Sequence, residues 1–212
     1  MTANRSEGDF GLTGLTHRFH EEWGRDSTAQ ELVARSAAEG GGVNAYAIRA
    51  DVARLLGSRL PDTDLTALWQ AATGRRYNLE YLGIGIRDWL GEVAAICAER
   101  SGGPVPAPGP AGPGEQAVAD AVLDELRLAG PALAAATESR IEQEVAGVVP
   151  ALESALGEVG PDLTFRLFLR AMGEYWVSID RAQYDRYRSL GERLGHGELH
   201  VNDVDFLVDL DA

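Results

Sequence analysis

Histidine and carboxylate side chains stand close together at two places in this chain. His17 and His20 are three residues apart and are followed directly by Glu21 and Glu22. Two imidazoles and a carboxylate are a ligand set that zinc accepts. A zinc protease, however, needs His-Glu-x-x-His and a third ligand downstream, and the run His17-Arg18-Phe19-His20-Glu21-Glu22-Trp23 has neither. His196 and His200 are four apart in Gly-His-Gly-Glu-Leu-His. Glycines on both sides of His196 oppose the continuous helix that would bring the two rings to one face, so a turn is expected there. Cys97 is the single cysteine, and its neighbours Ala94, Ala95, Ile96 and Ala98 predict a small buried hydrophobe rather than an activated thiolate. The sequence holds no glycine-rich phosphate loop, no nucleophile elbow and no dinucleotide fingerprint. Nothing places a serine, a histidine and an aspartate together as a triad. The expectation is a non-enzyme with no metal and no cofactor.

Arg166, Arg170, Arg181, Arg186, Arg188 and Arg193 interleave with Tyr175, Tyr184 and Tyr187, a mixture that can grip single-stranded nucleic acid. Glu174, Asp180, Asp185 and Glu192 lie among them, so pairing at helical spacing along a solvated face is the better reading. Charge argues the same way. The chain has 33 acidic residues against 19 basic ones, for a net charge of −14. The excess is uneven: residues 1–100 carry 11 arginines and 14 carboxylates, residues 101–212 carry 8 and 19. Glu198, Asp203, Asp205, Asp209 and Asp211 close the chain with no basic residue among them. A field of that sign repels phosphate backbones and draws in basic surfaces, so the expected partner is a basic protein and not nucleic acid.

The pattern predicts an all-α protein of two helical modules joined by a Pro/Gly-rich linker. From Ser101 to Gly114 there are five prolines and five glycines, a composition that sustains neither helix nor central strand. It separates a module over residues 10–100 from an acidic one over 115–212, each large enough for its own core. In the first, Ser27 and Gln30 read as a capping box before a helix through Ala38, and Asn44 as the cap of the next. That second helix carries Ile48, Val52, Leu55, Leu56 and Leu60 on one stripe. Helices follow from Pro61 to Gly74, with Leu65, Leu68 and Trp69 inward, and from Ile86, with Trp89, Leu90, Val93 and Ile96 inward. Tyr77, Leu79, Tyr81 and Leu82 are expected to lie over the core between them. In the second module, Gly130-Pro131 is expected to end a helix from Glu115, and Pro150 to interrupt one from Ala132 to Leu156. A third runs from Leu163 to Tyr175 with Phe165, Leu167, Phe168, Leu169, Met172 and Trp176 as its apolar positions. Asp180 caps a fourth through Leu194, and Asn202 a short last one with Val204, Phe206, Leu207 and Leu210. No apolar run approaches the ~20 residues of a membrane span, and Met1 to Asp9 lacks the basic start and apolar stretch of a signal peptide. Cytoplasmic residence without membrane association is the expectation.

Two short runs resemble the immunity proteins of bacterial contact-dependent growth inhibition systems. These are Phe19-His20-Glu21-Glu22-Trp23 and, some sixty residues later, Arg87-Asp88-Trp89-Leu90. The family pattern has Asp where Glu22 stands. The likeness extends from about Gly11 to Cys97, and the second half has no counterpart in it. It implies a non-enzymatic antidote that binds and neutralises the toxic domain of a polymorphic effector, most simply a basic nuclease. Glu21, Glu22 and Asp26 in the first module, and Asp203, Asp205 and Asp209 in the second, are the expected partner-binding carboxylates. A helical scaffold or regulatory protein-binding module with no toxin connection is the alternative.

Overall fold

The computed structural model describes residues 9–20, 22–103, 113–140, 142–196, 201 and 203–209. The protein is all-α; among the described residues the nearest approach to a sheet is one isolated parallel bridge between Ile179 and Val208. The first half holds α1 (Gly11–His17), α2 (Ala29–Ala38), α3 (Val43–Gly57), α4 (Asp62–Ala72), the single turn α5 (Leu79–Leu82) and α6 (Ile86–Ala98). The second holds α7 (Pro113–Ser139), α8 (Val148–Val159), α9 (Pro161–Glu174), α10 (Arg181–Arg193) and a 3-10 turn at Asp205–Leu207. Expectations on Glu21, His200, Asn202, Leu210 and most of the linker fall outside the described residues.

Local chemistry sets where these helices begin. Thr28 caps α2, one residue later than expected: its hydroxyl accepts from the Glu31 N–H at 3.2 Å, and the Glu31 carboxylate accepts from the Thr28 N–H at 2.8 Å. Asn44 does not cap α3, which starts at Val43 after Gly42. Its amide instead donates to the Ser36 carbonyl at 2.8 Å and accepts from the Gly11 N–H at 3.3 Å, tying α1 and α2 to α3. Asp180 caps α10 as expected, accepting from the Gln183 N–H.

Neither proline breaks a helix where the sequence suggests it. α7 runs straight through Gly130-Pro131. Proline forfeits the bond to the carbonyl of Arg127, and Arg127, Leu128 and Pro131 all face solvent, where water satisfies that carbonyl. α7 ends at Ser139 and α8 begins at Val148, so that Pro150 falls in the first turn of α8, where its missing donor has no helical partner to lose.

Nearly every face of α9 is buried, with Leu163, Phe165, Leu167, Phe168, Leu169 and Met172 all enclosed. A helix enclosed on nearly all sides belongs at the centre of a fold, and its charged side chains must then be paired; α9 packs against α1 and α4 as well as α7 and α8. α4 also lies on α8. The two halves therefore share one continuous set of buried side chains, from Leu12 to Leu207, rather than enclosing separate cores. No helix among the described residues is long and apolar enough to cross a membrane.

Candidate functional site

The two family-like runs meet in space. Phe19 lies 5.1 Å from Trp23, 5.5 Å from Trp69 and 6.5 Å from Trp89, ring centre to ring centre, all edge to face, and it stacks on Tyr77 at 5.2 Å. Phe19 and Trp89 are fully enclosed. Phe19 and Trp23 do not share a helix: α1 ends at His17, and turns carry both rings inward. Trp23 Nε1 donates to the Arg76 carbonyl and Trp69 Nε1 to the Tyr77 carbonyl. Arg87 donates to the Leu56 and Leu60 carbonyls and to Asp62, fastening the turn between α3 and α4. These residues build the fold; they do not present a surface. Tyr81 and Leu82, expected over the core, are exposed instead, because the left-handed Gly83 closes α5 after a single turn.

A buried ion network fastens the halves together. The Arg166 guanidinium is 1% exposed and grips both oxygens of Asp51 on α3, at 2.8 and 2.6 Å, and Asp162 one turn back on α9 at 3.1 Å. Its carbon sits 4.6 Å above the Phe10 ring. Burial alone would lower the Arg166 pKa, but Asp51 and Asp162 outweigh it and hold the proton more firmly than usual. Burial would likewise raise Asp162, yet Arg166 and His196, the latter at 2.6 Å, keep that carboxyl well below the ordinary range. The Leu12 N–H donates to Asp51 at 2.9 Å, and Gly11, at φ +63°, must be glycine because a Cβ would fall on the same carboxylate. Arg166 and Arg170 do pair four residues along, with Asp162 and Glu174, but on a buried face rather than a solvated one.

Next to this network a cleft of about 230 Å³ opens to the surface. Glu174, paired with both Arg76 and Arg170, lines it together with Leu169, Gly173, Val204, His17, Asp9 and Asp203. His17 Nδ1 is 3.1 Å from Arg170, and partial burial with the charges of Arg170 and Arg18 pulls its pKa down to about 4. Burial pushes Asp9 up to about 6, against the pull of the Thr13 hydroxyl and of Arg166 and Arg170. Asp9, His17 and Asp203 also line an adjoining groove that reaches His20 and Glu39. No group of three or more potential ligands is placed to hold a metal among the described residues. Cys97 is enclosed, and burial raises its thiol to about 11.

Two aromatics form the lip. Trp176, counted above with the apolar positions of its helix, is 66% exposed, and Phe206 is 51% exposed; their rings meet edge to face at 5.1 Å. Trp176 has φ +54°. It occupies the position after the α9 cap where the Trp176 N–H bonds back to Gly173 and the Val177 N–H to Met172, a closure that ordinarily uses glycine. Asp203 and Asp205 precede Phe206 in the chain, and Asp209 follows it where its N–H bonds to the Ile179 carbonyl. Of the three expected carboxylates of the second half, Asp203 lines the cleft, while Asp205 and Asp209 are exposed on the same stretch of chain. Glu22 and Asp26 are exposed on the α1–α2 connection, where Glu22 pairs with Arg25 at 3.0 Å; neither lines the cleft. Sequence reasoning missed Asp9 and the lip. A tryptophan following Gly-Glu-Tyr at a helix end, where a glycine would be ordinary, was the available signal. Searches of protein-family models, curated proteins and solved structures find no match to this chain.

Proposed function

We propose that this protein is a non-enzymatic antidote: an immunity protein that binds the toxic domain of a polymorphic or contact-dependent effector in the cytoplasm and blocks it. The observation that carries the binding reading is Trp176. A bulky residue held in the left-handed region costs on the order of 1–2 kcal/mol, and its ring is left in water. Folding gains little from that choice; an interface gains an aromatic anchor, the residue type that dominates binding hot spots. Asp203 lines the same cleft, and with the exposed Asp205 and Asp209 further along the chain it supplies an acidic rim. Such a rim speeds the encounter with a basic partner and rejects others. The toxin reading rests on the resemblance, and it is supported by the convergence of both family-like runs on one aromatic cluster.

Coexpression with the product of the neighbouring upstream gene tests the proposal. Growth rescue together with copurification is the expected result, and charge reversal at Asp203, Asp205 and Asp209 should weaken the complex and flatten its salt dependence. A complex without rescue would favour a scaffold or regulator over an antidote. Absence of both would sink the proposal.

A further inference from the structure

The cleft beside the lip is built for one particular kind of contact. Its aromatic side offers the two ring surfaces of Trp176 and Phe206, set edge to face so that neither fully covers the other. Asp203 and Asp205 both precede Phe206 in the chain, on either side of Val204, and Asp203 lines the cleft. Burial raises the Asp203 carboxyl, and the like charge of Asp205 raises it further while Arg170 pulls it down. A carboxylate and two exposed rings lining one cleft suit a cation, which the carboxylate neutralises and the ring quadrupole holds. The cleft offers no open guanidinium pair to an anion, because Arg76 and Arg170 both close on Glu174 and Arg166 is taken by Asp51 and Asp162. The volume, about 230 Å³, suits one long side chain and not a folded element.

Resting on the reading of a basic protein partner, we infer that this cleft seats a single arginine or lysine side chain of that partner, its charge against Asp203 with Asp205 adding to the field, and its stem against Trp176 and Phe206. The seat explains why the strained tryptophan and the acidic strap occur together.

A tetra-arginine peptide, with tetra-citrulline as its uncharged isostere, probes the seat at low ionic strength. The readout is the indole N–H resonance of Trp176, assigned with Trp176→Phe. Tetra-arginine should shift that resonance saturably and tetra-citrulline should not; the paired substitution Asp203→Asn, Asp205→Asn should weaken the interaction about fivefold or more. Both aspartates are exposed, and unchanged resonances of the buried Trp69 and Trp89 indoles would verify that the variant folds. Equal shifts from both peptides, or undiminished affinity in the paired variant, would overturn the seat. The two proposals fail separately. If tetra-arginine moves Trp176 while no toxin copurifies, the seat stands and the antidote falls. If a toxin copurifies while tetra-arginine leaves Trp176 unmoved, the reverse holds.

Discussion

Trp176 and Arg166 show two opposite uses of a residue that breaks the usual pattern. Trp176 pays a backbone strain at an exposed position and returns only one edge-to-face contact, worth about 0.5–1.5 kcal/mol, with Phe206. Trp176→Gly relieves the strain and loses that contact. Thermal melting should therefore stay within about 1 kcal/mol of the parent, while binding of the partner falls tenfold or more, as expected for an aromatic hot spot. A variant that melts far lower would mean the ring serves the fold. Arg166 is the converse, a charge enclosed for the sake of the fold. Arg166→Met removes the bidentate partner of the buried Asp51 and leaves it only Arg54, 3.9 Å away, a change that costs about 3–5 kcal/mol. Denaturant titration should show it. Replacing Asp51 and Arg166 together with apolar residues of similar volume should restore part of that loss, because an apolar pair carries no unpaired charge. If the double replacement is as damaging as the single one, the Leu12 N–H bond to Asp51 matters more than the ion pair.

At the scale of elements, composition located helices better than it located their ends. The apolar stripes of α3, α4, α6 and α9 were legible because periodicity reports burial directly, and the Asp180 cap because its chemistry is local. The errors share one cause: a signal read in isolation that depends on exposure. The period through Phe165, Phe168, Leu169 and Met172 carries on to Trp176 only if the helix continues, and α9 stops at Glu174. Gly130-Pro131 looked like a stop, yet it costs little because the orphaned carbonyl faces water. It should still cost something, since an interior proline is the poorest helix former. Pro131→Ala restores a donor to the Arg127 carbonyl on that exposed face and should raise stability by about 1–3 kcal/mol. An unchanged or lower melting temperature would show that the packing of α7 on α8 depends on the proline at this position. The candidate site was half legible. Its carboxylates declared themselves by charge density, but Asp9 reaches the cleft only because α1 folds back onto α9, a long-range contact that no local pattern encodes.

The whole molecule couples these parts through protons. Asp9 and His17, both lining the cleft, have shifts whose effects on folding oppose each other. Asp9 rises in the folded state to about 6 from an ordinary 3.8, so its contribution to stability is complete below 3.8 and lost as pH rises towards 6. His17 falls to about 4 from 6.5, so its contribution is complete above 6.5 and lost as pH drops towards 4. Across the shared window the folded state takes up a proton at Asp9 while the unfolded chain takes one up at the imidazole, and stability should change little with pH. Asp162, held below its usual value, adds a loss only under more acidic conditions, as pH falls below about 4. Asp9→Asn keeps an oxygen to accept from the Thr13 hydroxyl and the Phe10 N–H, and removes the proton uptake. Its melting temperature should then decline steadily from pH 6.5 to pH 4, where the parent's stays nearly level; His17→Asn should show the opposite slope. Melting curves across that window decide the matter. Parallel slopes for the parent and Asp9→Asn would mean that the carboxyl of Asp9 carries its ordinary pKa and that the cleft is wetter than its packing implies.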